Sequence, residues 1–301
     1  MDDHNKFSLA FMRDFVPEKL RPWIIILIAV VFQFSGGVYL AAVSEMGGAL
    51  ALKQEDIMMA GYASMVSMAL SFAILFRLKF RFPPRTSLSV CAVVIVLANL
   101  ICLNTGNVVV LVGVSFIAGF FRMWGTFECN SSLQLWITPK RDLSIFFCYI
   151  FLMVNACIQL SGLTTVHIAT WINWQYMHWF VIALLLGVLV FVLIGFRDDR
   201  LMKYLPLYGI DWLGGALWGI TVLAIVFVGV YGEHYDWFSS PHIRMASFIA
   251  VVSLLLNISR ALVIRHPYLD LSIWTYRPMW LTFVLYIVID FLLAPQHVLE
   301  H

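Results

Sequence analysis

Charge is what this sequence has least of. Asp, Glu, Lys and Arg make up 12% of its 301 residues, 62% are hydrophobic, and the mean hydropathy is +0.90. Soluble domains carry about 25% charged and about 45–50% apolar residues, so a water-soluble fold is excluded. Cysteine is scarce too. The five (Cys91, Cys102, Cys129, Cys148 and Cys157) have no C-x-x-C spacing, which leaves no zinc or thiol-redox motif. All fall in apolar runs and are expected to be small buried residues. The catalytic signatures are missing: no G-x-S-x-G, no Walker loop, no H-E-x-x-H and no paired carboxylates. No enzyme, cofactor or metal is therefore expected, and the chain would not drive transport by hydrolysing ATP. Glu233-His234-x-Asp236 is the one cluster with metal-like chemistry, and it is too short to form a site. Residues 1–21 are not expected to be a signal peptide, because acids are present and no small-residue cleavage site follows a short apolar core.

What the sequence does have is long apolar runs. About 20 apolar residues in a helix cross the bilayer core. Nine spans are predicted, at 23–45, 57–77, 87–104, 108–130, 143–167, 178–196, 209–231, 243–264 and 278–294. The runs are continuous and do not alternate, which excludes a β-barrel. The fold class is thus an all-α polytopic membrane protein. Before the first span, Phe7, Phe11 and Phe15 recur every fourth residue. They fit either a short helix lying on the membrane surface or a partly ordered tail.

Lys and Arg collect in the short loops on the cytoplasmic side of membrane proteins. With the N-terminus inside, sixteen of the nineteen fall on the inner side, among them Arg77, Lys79, Arg81, Arg85, Arg197 and Arg260. Lys53 and Arg244 fall outside, and Arg122 falls within the membrane. The outer loops hold Glu45, Glu55, Asp56, Glu233 and Asp236 instead, and Trp171, Trp174, Tyr176 and Trp179 form an interfacial belt after the fifth span. The net charge of +2 follows this topology, so no nucleic-acid partner is expected. The lipid bilayer is.

The stretch Val108 to Asp142 organises the rest. Arg122 sits in the middle of an apolar run, with Glu128 six residues on. A charge at that depth costs about 2.5–3.5 kcal/mol on insertion scales, and such residues usually face a bundle interior or a wet cavity. Helical spacing puts Ser115, Gly119, Arg122 and Thr126 on one face. Glu128 lies about 120° round and about 9 Å along the axis, so the two charges do not pair within the helix. Two readings of Arg122 stand: a stem that snorkels to the interface, or a charge in an interior cavity. In the second, its candidate partners are Gln33, Asn155 and Gln159 on other spans, and Glu128 only if the helix bends or a water bridges. Arg122 would then be a fixed charge and Glu128 the group that responds to protons. Gln33, Ser35, Ser115, Asn155, Gln159, Ser161 and Asp290 are further polar residues inside spans. They form either scattered interhelical hydrogen bonds or a shared polar pathway at mid-membrane. Gly36, Gly37, Gly119, Gly214 and Gly215 permit close helix approach.

Several strings resemble one family. Trp171-Ile172-Asn173-Trp174-Gln175-Tyr176-Met177-His178-Trp179 looks like the Trp-Arg-Trp-x-Phe segment that follows the fifth helix of the fourteen-helix drug:proton antiporters (the EmrB/QacA type) of the major facilitator superfamily. Asp211-Trp212-Leu213-Gly214 resembles the start of their seventh helix. Gly232-Glu233 with Trp237-Phe238-Ser239-Ser240-Pro241 resembles the outer loop between their two linker helices, and His266-Pro267-Tyr268-Leu269-Asp270-Leu271 the approach to the ninth. In the loop after the second span the basic Arg77, Arg81 and Arg85 match that family's motif, while Phe76, Phe80 and Pro83 stand at its Gly, Asp and Gly. The fourth-helix Arg of the exporters aligns near Ser115, and the fifth-helix proline and the first-helix acid are missing.

The resemblance implies a cytoplasmic segment 1–21, a six-helix bundle 22–196, a loop with two linker helices 197–264, and the start of a second bundle 265–301. A fourteen-helix transporter needs five further spans, so the chain reads as an N-terminal portion. The implied function is secondary transport in a bacterial inner membrane: proton-coupled efflux of small amphipathic compounds, with Arg77, Arg81 and Arg85 gating at the inner loop. By the same resemblance, the partners would include a small-molecule substrate, a periplasmic adaptor and an outer-membrane channel. The competing readings are a non-transporting scaffold or degenerate half-transporter, and a membrane enzyme or receptor.

Overall fold

The computed structural model describes residues 11–36, 41–138, 140, 142–198 and 209–298. Ten helices run along them. They are α1 (Arg21–Phe34), α2 (Val43–Leu50), α3 (Gln54–Arg81), α4 (Pro84–Asn104), α5 (Val108–Ile137), α6 (Leu143–Trp171), α7 (Gln175–Gly195), α8 (Trp212–Tyr231), α9 (Pro241–Val263) and α10 (Arg277–Val298). Two 3₁₀ turns, Trp237–Ser239 and Leu271–Thr275, join them, and no strand occurs among the described residues.

Local chemistry sets the ends. α3 stops where Phe82 turns extended before Pro83 and Pro84, and α4 starts on Pro84, since proline bars the preceding residue from helix and suits a first turn. Asn107 caps α5 by accepting from the Val109 and Val110 N–H groups. Asp142 caps α6, Asp211 caps α8, and Ser240 caps α9 ahead of Pro241. Seven helices, α3 to α9, are long and apolar enough to cross a membrane. α1 and the segment Arg277–Val288 of α10 are shorter apolar helices.

The span expected at 23–45 is therefore broken. α1 ends at Phe34, Ser35 and Gly36 form a turn, and, past residues 37–40, which lie outside the described residues, α2 begins at Val43. Its end is held rather than frayed: Ser35 Oγ donates to the Phe32 carbonyl at 2.7 Å, and Ser161 Oγ of α6 donates to the Phe34 carbonyl at 2.8 Å. These hydroxyls satisfy carbonyls that a helix end leaves without partners.

α5 is the central helix. It packs against α1, α3 and α4, while α4 also meets α7, and α1 meets α6 and α7. The α8–α9 hairpin lies against the bundle through α3. Phe32, Ile57, Leu75, Leu88, Ile95, Leu111 and Leu133 fill the space between. Gly119 lets α5 meet α3, for a Cβ there would strike the Ser64 backbone.

One further expectation fails, and one of the two readings of the N-terminal segment finds no support. The described residues 11–20 form no helix. Met12 bridges Phe196 in extended pairing, Arg13 N–H bonds to the Gly195 carbonyl, and Phe11 is buried while Phe15 is exposed. The backbone of this segment is tied to the end of α7, which competes with helix formation; Phe7 lies outside the described residues. Among the cysteines, Cys148 is exposed, because α6 turns most of its surface outward.

Candidate functional site

Arg122 sits on α5 with only 5% of its surface exposed. Its guanidinium lies against the backbone of Gly36, where a Cβ would overlap it. The break in α1 and the buried cation thus occupy the same place. The carbonyl end of a helix carries partial negative charge, so the end of α1 partly compensates Arg122. The other contacts are weak. Nη2 meets the Met68 sulfur of α3 at 3.4 Å, and Nε has no hydrogen-bond partner among the described residues. No carboxylate of the described residues pairs with it.

A cavity opens beside the guanidinium. Ser35, Gly36, Ser64, Asn99, Ser115 and Arg122 form its polar lining. The space open to the centre of a water molecule is about 20 Å³. That holds one water, which needs about 10–15 Å³ by this measure, and is too small for a whole drug-sized molecule. In this wall Asn99 Oδ1 lies 2.7 Å from Nδ1 of the fully buried His178 on α7. The Ser115 hydroxyl is buried without a partner among the described residues. Thr126 Oγ1 reaches Gln33 Oε1 at 3.5 Å, the limit of a hydrogen bond.

Glu128 belongs to a second site, nearer the end of α5. It is 1% exposed and faces Lys79 Nζ of α3 at 3.9 Å. Lys79 also donates to Ser131 Oγ, and to Ser132 Oγ at 3.2 Å. Both Glu128 oxygens lack hydrogen bonds among the described residues. A buried ion pair without such bonds recovers little of its desolvation cost.

The structure thus brings Arg122 and Ser115 together, sets Gln33 beside Thr126 on the same side, and separates Glu128 from them. Asn155 and Gln159 are not partners of Arg122. Both are exposed on α6, and Asn155 Nδ2 turns back to the Phe151 carbonyl at 2.8 Å. The side chain of Asp290 lies outside the described residues. At the other end, Arg85 Nη2 donates to the Leu193 carbonyl in the last turn of α7 at 3.0 Å. The Arg77 guanidinium lies beside Gly209, and the half-buried Arg81 closes α3. On the opposite face Lys53 Nζ lies 2.8 Å from His234 Nε2, and Tyr231 donates to Asp56 at 2.5 Å.

Sequence reasoning missed Lys79, Asn99, His178 and Gly36 as a group. Asn99 and His178 carried a usable signal, since each is a lone polar residue in or beside an apolar span. Lys79 did not, because it counts equally well as a loop cation.

No protein-family model matches the chain, and no curated protein matches it. The fold is that of a polytopic helical membrane protein, with Arg122 buried near the middle of a helix long and apolar enough to cross a membrane.

Proposed function

We propose that this protein is a secondary active transporter of the major facilitator type, exporting small amphipathic compounds in exchange for protons across a bacterial inner membrane. The observation that carries the reading is the interrupted first helix with Arg122 pressed against the break. Discontinuous helices at mid-membrane, with irregular backbone lining a polar cavity, are a recurrent way of building a substrate site in transporters. The separate Glu128–Lys79 pair supplies a coupling element. A guanidinium keeps its charge, whereas a carboxylate can take up a proton. Protonating Glu128 removes the charge facing Lys79 and loosens α3 from α5.

The test is uptake of an amphipathic dye panel into inverted vesicles carrying the full-length protein, with and without an imposed proton gradient. Transport should require the gradient. Arg122→Met removes the charge at similar bulk and should abolish transport while membrane insertion stays normal. Arg122→Lys keeps the charge but loses the planar fork and should impair it. Wild-type rates in Arg122→Met would end this reading. Failure of every dye to move would favour a non-transporting scaffold.

A further inference from the structure

Arg122 brings a full positive charge into the bundle, and the described residues supply no anion to meet it. The one acid on its own helix that is buried, Glu128, is taken by Lys79. The end of α1 offers only partial charge, and the Met68 sulfur is a weak acceptor. Nε of Arg122 and the hydroxyl of Ser115 are both buried without partners among the described residues, and both residues line one cavity. An uncompensated buried charge costs several kcal/mol, so the arrangement is incomplete without an anion in that space.

The shape of the donors says which anion. A guanidinium presents a planar fork that matches the two oxygens of a carboxylate, and such pairs are often bidentate. The cavity admits a small head but not a body, and Ile95, Ala98 and Cys102 continue its lining as an apolar wall. We propose that this cavity binds the carboxylate head of an amphipathic organic acid, with Arg122 as its counter-ion and Ser115 donating a hydrogen bond. The inference deepens the transport reading and rests on it for the ligand's route, because it makes the exported compounds acids. Binding itself can be measured without transport.

The experiment is thermal unfolding of the detergent-solubilised full-length protein, followed by tryptophan fluorescence at constant ionic strength. The probes are sodium benzoate, its neutral isostere benzamide, and sodium chloride. A ligand that binds only the folded state raises the midpoint as its concentration passes the dissociation constant. Benzoate should raise it, and benzamide and chloride should not. Arg122→Gln should abolish the benzoate shift. Ser115→Val, which keeps the cation, should need about tenfold more benzoate for the same shift, as expected for one lost hydrogen bond to a charged group. Lys53→Gln, an equal charge change on the outer face, should leave the shift unchanged.

If Arg122→Gln gives no cooperative transition, the Ser115→Val titration decides. The proposal is overturned if benzoate gives no shift, if chloride or benzamide matches it, or if Ser115→Val responds as wild type does. A benzoate shift without dye transport leaves this inference standing and removes the transport reading. Transport without a benzoate shift does the reverse.

Discussion

At the scale of single residues, the face of α5 was legible from spacing. Ser115, Gly119, Arg122 and Thr126 recur at helical intervals, and all four are buried. What each meets was not legible. Gly119 illustrates the difference, since its sequence position says only that it is small. In the fold, a Cβ there would strike the backbone of Ser64, whereas one at Gly113 would meet nothing within 4 Å. Gly119→Ala is therefore expected to destabilise the protein by about 1–3 kcal/mol, the usual cost of overpacking. Gly113→Ala should be neutral or stabilising by up to about 1 kcal/mol, from helix propensity. Unfolding midpoints in detergent compare the two. Equal midpoints would mean that α3 and α5 are not in close contact at Ser64.

At the scale of elements, caps and prolines were readable because they act within a few residues, and the break in α1 was not. Its span looked continuous in hydropathy. What ends it is contact with another helix, with Ser161 taking a terminal carbonyl and Arg122 taking the space at Gly36. The start of α8 offers a test at this scale. Asp211 accepts from the Gly214 N–H at 3.0 Å and binds Arg260 of α9 through Nη2 at 2.8 Å and Nε at 3.0 Å. The Arg260 guanidinium holds the Asp211 carboxyl below its ordinary value of 3.8. A lowered folded value means that the stabilisation is complete above the ordinary carboxylate range and is lost as pH falls through the lowered one. Hairpin stability in the wild type should hold down to about pH 4 and decline below it. Asp211→Ala removes the cap, at a cost of about 0.5–2 kcal/mol, and should remove this acid-dependent component as well. Hydrogen exchange across residues 212–231 between pH 3 and pH 7 would register both effects. An unchanged pH profile in Asp211→Ala would show that another group carries it.

At the scale of the whole molecule, the distribution of cations predicts an inside N-terminus. On a background lacking the native cysteines, Asp236→Cys should react with a membrane-impermeant maleimide added from outside, and Asp198→Cys only from the cytoplasmic side. Labelling of residue 236 from the cytoplasm would reverse the orientation. The outer helices are barely covered. Only 17% of the α6 span and 11% of the α9 span is buried, which leaves their apolar faces to lipid or to further helices.

The seven long apolar helices, their approximate limits and the buried face of α5 could be derived from the sequence alone. Each follows from a local requirement. An apolar run must match the thickness of hydrocarbon, backbone groups in lipid must bond within the segment, and a 3.6-residue period sets which residues share a side. Only the tertiary structure decided which polar groups meet: Glu128 with Lys79, Arg122 with the end of α1, and Asn99 with His178. Such pairings depend on the rotation and axial offset of one helix against another. In a bilayer these are set by close packing at small residues, with little hydrophobic drive between helices. That information lies in the joint shape of two surfaces, and no single apolar run contains it.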